Sequence, residues 1–293
     1  MERPGPATIL GLGLISAALL HLEITLTKIF SVVLWYHFGF LAIGVALLGF
    51  AAAGVYLTFR PKPDGTRLRR ALARRALLAA AGIFVGFLLL AHSQFDTFSI
   101  VRERRAALLA VYLLEAALPF FLIGLVIAAT IAAFPRHVGT LYASNLVGSA
   151  AGCLTAVIAL NHVSGQQAVL AAVGLAGTGA ALMGIPAGAW PTVRNAAVAG
   201  VLLFVGFRHT EALFRLLPIP SKMLASMPPE ALEASDWSSL SKVDILAIGD
   251  THQGLWGISD ARFKDPWFEK ALEEGFSPLP PRKAVLIDEW AIT

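Results

Sequence analysis

A chain of 293 residues that is 57% hydrophobic and only 14% charged, with a mean hydropathy of +0.71, is far from a soluble domain, whose charged fraction is about 25%. That composition excludes a soluble enzyme and predicts a polytopic membrane protein. The net charge of +4 sits largely in loops, where it signals topology, and gives no basis for nucleic-acid binding.

Seven nearly unbroken apolar runs each approach the ~20 residues that a helix needs to cross hydrocarbon. The first two, 7–30 and 32–59, have little more than Ser31 between them and predict an antiparallel helix pair. Arg3 ahead of an apolar stretch resembles a signal peptide, but the run is long and has no small-residue cleavage site before Glu23, so it reads as a retained span. Pro61, Pro63 and Gly65 open the clearest loop, which is expected to run through Arg67, Arg69, Arg70, Arg74 and Arg75. Further spans are expected at 76–92, 106–134, 141–160, 168–185 and 193–207, the last two rich in Ala and Gly. The single Cys153 lies within the fifth, which excludes an intrachain disulfide and a cysteine zinc cluster.

The density of arginine between Arg60 and Arg75 places that loop in the cytoplasm, and the N-terminus with it. Arg136 and Arg194 then fall on the same side, whereas Arg102, Arg104 and Arg105 fall on the other. Seven spans from a cytoplasmic start put the C-terminal tail outside.

Near His209 the composition gains Pro, Asp, Glu, Lys and Trp, which divides the chain into a transmembrane helix bundle at 1–208 and a soluble linker and strand tail at 209–293. Pro218 and Pro220 read as a rigid linker, 228–233 as a helix entry, and 242–248 and 283–287 as strands, with 254–258 as a third strand candidate. The fold class is therefore an all-α polytopic membrane bundle of about seven spans with a small mixed α/β tail.

Ionisable groups at membrane depth are costly, at roughly 2.5–3.5 kcal/mol each on insertion scales, and normally face a bundle interior or a cavity. His21, Glu23 and Lys28 in the first span, His37 in the second, Glu115 in the fourth and Asn145 in the fifth are the candidates. Helical spacing puts His21, Thr25 and Lys28 on one face and Glu23 and Thr27 on another. Lys28 also has the length to snorkel to the interface. Ser144, Gly148 and Gly152, spaced by four, form a stripe that lets another helix approach closely, within one bundle or between two copies. Trp237, Trp256 and Trp267 in the tail suit docking or a small core. No His-Glu-x-x-His occurs and the histidines do not cluster, so neither metal nor cofactor is expected.

The stretches LEITLTKIFSVVLWYHF at 22–38, LYASNLVGSAAG at 141–152 and WSSLSKVD at 237–244 resemble bacterial membrane-anchored spermidine synthase-like proteins. The resemblance implies a multi-helix domain in a bacterial inner membrane, a β-segment and an aminopropyltransferase-type Rossmann domain. Family members carry an acid where this chain has Asn145, and an Asp-Gly pair near Ile287, Asp288 and Glu289. The chain ends at Thr293, where that Rossmann domain is expected to begin, and no Gly-rich strand-turn-helix follows Ile287. The expectation is a non-catalytic module that anchors or docks a separate Rossmann-type subunit through its tail. A cytosolic subunit conflicts with an exported tail, and the Ala/Gly-rich sixth or seventh segment is the one expected to give way. The alternative is a small transporter with Glu23, Lys28, Glu115 and Asn145 lining its path, although the halves show no inverted repeat.

Overall fold

Leu12, Ile15, Leu22, Leu26 and Ile29 recur at helical spacing along the first apolar run, and all are buried, so this stripe faces other helices. The computed structural model describes residues 3–34, 38–60, 64–93, 106–216, 229–247, 283–288 and 291–292. The stripe belongs to α1 (Pro6–Val33). It is followed by α2 (Gly39–Thr58), α3 (Gly65–His92), α4 (Ala106–Ala133), α5 (Val138–Leu160), α6 (Gly165–Gly184) and α7 (Ala189–Arg208). These seven are long and apolar enough to cross a membrane. A short α8 (Thr210–Leu213) comes next.

α1 packs against α5, α6 and α2, α3 lies against α4 and α6, α2 leans on α4, and α7 on α6 and α3. Consequently α1, α3, α4 and α6 bury half or more of their apolar windows, while α2, α5 and α7 form the periphery. Phe40, Leu47, Val147, Leu154 and Phe204 on those outer helices are exposed. Apolar surface on that scale is at home against lipid tails.

Two boundaries differ from the sequence reading. The apolar, β-branched Val32 and Val33 prolong α1, and the break comes at Leu34, so α2 starts at Gly39 instead of residue 32. The arginines expected in a loop instead occupy the first turns of α3, because Arg favours helix and the stop signal ends at Gly65, whose φ is +52°.

The Ala/Gly-rich segments did not give way: α6 and α7 are each 20 residues long. α6 opens with a capping box in which Ser164 and Gln167 satisfy each other's backbone N–H. Its small residues serve packing, since a Cβ at Gly179 would lie 2.9 Å from the Gly11 carbonyl oxygen of α1.

In the tail, β1 (Leu232–Trp237), β2 (Lys242–Ala247), β3 (Lys283–Ile287) and β4 (Ala291–Ile292) form an antiparallel sheet in that order. Ser235 pairs with Asp244, and Asp244 with Leu286. The helix entry expected at 228–233 shrinks to a 3-10 turn at Pro229–Ala231, and Leu232 and Glu233 join β1. Leu-Glu-Ala-Ser-Asp-Trp alternates apolar and polar only as far as Ser235 and leaves its residues mostly exposed, so β1 owes its conformation to pairing with β2. The strand expected at 254–258 lies outside the described residues.

Arg3 and Gly5 at the start of α1 border a cleft with Arg69 and Pro186, whereas Lys28 near its other end meets the sheet. The 28 residues of α1 rise about 42 Å at 1.5 Å each. Sheet and arginine-rich end therefore lie at opposite ends of the bundle. With the arginines inside, protease added to intact cells should leave the 60–75 segment whole, and cleavage there would invert the orientation.

Candidate functional site

A lysine in an apolar helix needs acceptors for three N–H groups. Lys28, 8% exposed, finds all three in the tail. Its Nζ donates to Asp288 Oδ1 at 2.8 Å, to Asp288 Oδ2 at 3.0 Å and to the Leu240 carbonyl at 2.8 Å. Asp288 follows β3 with φ at +50°, a left-handed conformation that Asp tolerates better than most side chains. The Lys242 backbone N–H donates to its Oδ1, and its own N–H donates to the Lys242 carbonyl, each at 2.8 Å. Asp288 thereby joins β2, the turn after β3 and α1 through one carboxylate.

Two further contacts flank this lock. The Trp237 ring lies over Gly165 at the start of α6, where a Cβ would sit 3.0 Å from the ring and 3.1 Å from Ile29. The Ser239 N–H donates to Asn161 Oδ1 at 2.8 Å in the α5–α6 turn. Trp237, expected as a docking residue, docks the sheet on its own bundle. Within β2, Lys242 pairs with the buried Asp244 at 2.8 Å.

The other sequence candidates lie on separate seams. Between α1 and α5, Ser16 Oγ is 2.7 Å from Asn145 Oδ1 and 2.9 Å from the Leu12 carbonyl, while Ser144 donates to the Ile9 carbonyl at 2.7 Å. His21 bridges α5 and α6, with Nε2 2.9 Å from the Ala168 carbonyl and Nδ1 3.0 Å from Thr155 Oγ1. A carbonyl only accepts, so Nε2 carries the proton, while the one Thr155 hydroxyl proton is shared between Nδ1 and the Gly152 carbonyl, which lies 3.0 Å from Thr155 Oγ1. Glu115 on α4 accepts from Ser93 Oγ at 2.6 Å, at the end of α3. Lys28, Glu115 and Asn145 thus belong to three different contacts. Gly148 and Gly152 face Gly13 and Ala17 of α1 in the same chain. His37, Trp256 and Trp267 lie outside the described residues.

Glu23 is half-buried; its carbonyl accepts from Thr27 Oγ1 at 2.8 Å, and among the described residues its carboxylate has no hydrogen-bond partner. Both Glu23→Gln and Glu23→Leu should therefore insert and melt as the wild type does or slightly higher, because neither removes a bond and both remove a charge from mid-helix. A clear loss of thermal stability in Glu23→Leu alone would mean that the carboxylate holds a partner.

The sequence reading missed Asp288, Asn161 and the fully buried Asn195 of α7, which donates to the Ala73 and Ala180 carbonyls at 3.0 and 2.8 Å. The departure from an Asp-Gly pair near Ile287 was the one signal at Asp288. Nothing local pairs it with a lysine 260 residues away. Among the described residues, no three His, Cys, Asp or Glu side chains gather as a metal site would require. What the junction achieves is mechanical: it fixes a β-sheet to the end of a membrane bundle through a shielded ion pair, an aromatic wedge and a backbone hydrogen bond. Comparison with family models, with curated proteins and with solved structures returns no match for this chain.

Proposed function

We propose that this chain is the membrane module of a spermidine synthase-like protein: an anchor without transfer chemistry of its own, whose tail sheet is the seat for a Rossmann-type, aminopropyltransferase-like partner. The observation that carries the reading is the junction at Lys28. A tail that served only as a tether would need no shielded ion pair to hold it against the bundle, whereas a seat must keep one orientation. β1 lies at one edge of the sheet order with mostly exposed residues, the geometry used when a partner adds a strand. The resemblance in the segments at 22–38 and 237–244 falls on both sides of this junction and includes Lys28 and Trp237.

Two measurements test it. Calorimetric titration of the purified chain with decarboxylated S-adenosylmethionine should give no binding heat, and binding or any aminopropyl turnover would overturn the non-catalytic assignment. A reporter fused after Thr293 fixes the side of the sheet. Cytoplasmic activity supports a seat for a nucleoside-using partner; export keeps the anchor and eliminates that partner.

A further inference from the structure

At the end of the bundle away from the sheet, α3 and the turn into α7 enclose a cleft of about 660 Å³. Arg67, Arg70 and Arg74 line one wall and Arg194 the other, with no acidic residue among the lining groups. Residues 67, 70 and 74 are spaced by three and four, so the first turns of α3 present them as one stripe. Arg194 is held in place: its Nε and Nη2 donate to Asn195 Oδ1 at 3.2 and 2.9 Å. Asn195, 0% exposed, is itself tied to the α3 and α6 backbones. The N-terminus of α7 opens at Gly188 and Ala189 in the same cleft, adding the positive end of a helix dipole. Four guanidinium groups gathered with no counter-charge among the described residues of the cleft repel one another, and a topology signal alone needs no such convergence. The arrangement calls for an anion.

The surroundings specify which one. Trp190 lines the cleft and is 74% exposed, as residues at the membrane–water boundary often are. From it, Val193, Ala197, Val201 and Phe204 run down the outer face of α7 at helical spacing, all exposed. A phosphate-binding cleft continuous with an apolar stripe has the shape of an amphiphile. We propose that the cleft is a binding site for an anionic phospholipid of the leaflet at that end, with the phosphodiester among Arg67, Arg70, Arg74 and Arg194 and the acyl chains along α7.

The test uses the full chain purified in detergent, exchanged into mixed phosphatidylglycerol and phosphatidylcholine, and weighed with its bound lipid by native mass spectrometry. Wild type should retain phosphatidylglycerol over phosphatidylcholine. Arg70→Gln with Arg194→Gln should weaken retention about tenfold per arginine, while Arg136→Gln, outside the cleft, should not. If the double variant does not fold, Arg74→Gln alone carries the same comparison. Equal retention of the two lipids, or undiminished retention by the cleft variants, overturns the proposal. Displacement of the lipid by millimolar inorganic phosphate would assign the cleft to a soluble anion and also overturn it.

Discussion

Gly148→Leu should leave little or no folded protein. A Cβ at residue 148 would run into the Gly13 backbone of α1, and one at 152 into the Ala17 backbone. Backbone cannot swing aside as a side-chain tip does, so the two helices must separate. Overpacking costs about 1–3 kcal/mol where side chains absorb the strain, and here separation also breaks what the seam carries: Ser16 with Asn145, Ser144 with the Ile9 carbonyl, and His21 with Thr155. The combined loss exceeds the upper end of that range. Gly44→Leu and Gly54→Leu on α2, where a Cβ meets nothing within 4 Å, are the controls. They should melt at or above the wild-type temperature, because removing glycine from a helix gains about 0.5–1 kcal/mol. Thermal unfolding in detergent, followed by size-exclusion fluorescence, separates the cases. A Gly148→Leu protein as stable as the controls would show that α1 and α5 are not packed this way.

How far the sequence carried can be seen at these residues. Span number and order were legible because lipid forces a length and a composition on every crossing helix. The stripe of Ser144, Gly148 and Gly152 was legible as a close-packing surface, but its partner was not, since small residues at intervals of four state how near a helix comes and leave open which helix it is. Where composition is permissive the boundaries slipped: Arg67 to Arg75 are charged enough to look like loop and helix-favouring enough to be α3. Long-range polar pairing was illegible. His21, Lys28 and Asn145 were conspicuous as polar groups in apolar runs, yet Thr155, Asp288 and Ser16 complete them from elsewhere in the chain or from the opposite side of a seam. Lys28 had the length to snorkel into water and points instead into the sheet, because the tail brings a carboxylate and a carbonyl to it.

Lys28→Met tests whether that contact holds the sheet to the bundle. Methionine preserves most of the stem and its packing but removes the ammonium, which takes from the Leu240 carbonyl its Lys28 donor and from Asp288 both Lys28 bonds. Breaking a buried ion pair costs about 3–5 kcal/mol. Asp288 keeps its bond from the Lys242 N–H and is 24% exposed, so water recovers part of the loss and about 2–3 kcal/mol remains. The bundle does not depend on the sheet for its helix contacts, and the effect should be local: the sheet opens while the helices stay packed. At about 1.4 kcal/mol per factor of ten, opening becomes roughly 30- to 140-fold more frequent, and limited proteolysis between the bundle and β2 should accelerate in proportion. Asp288→Asn, which suits the left-handed backbone at φ +50°, should produce a similar loss by taking the negative charge away from the Lys28 ammonium, which keeps the Leu240 carbonyl. The double variant should be less impaired than the sum of the two, because the coupling between contacting groups is lost only once. Added salt should change little in the wild type, since the pair is shielded from mobile ions. Wild-type cleavage rates in Lys28→Met, or additive losses in the double variant, would mean that Trp237 on Gly165 and Ser239 on Asn161 hold the sheet without the ion pair.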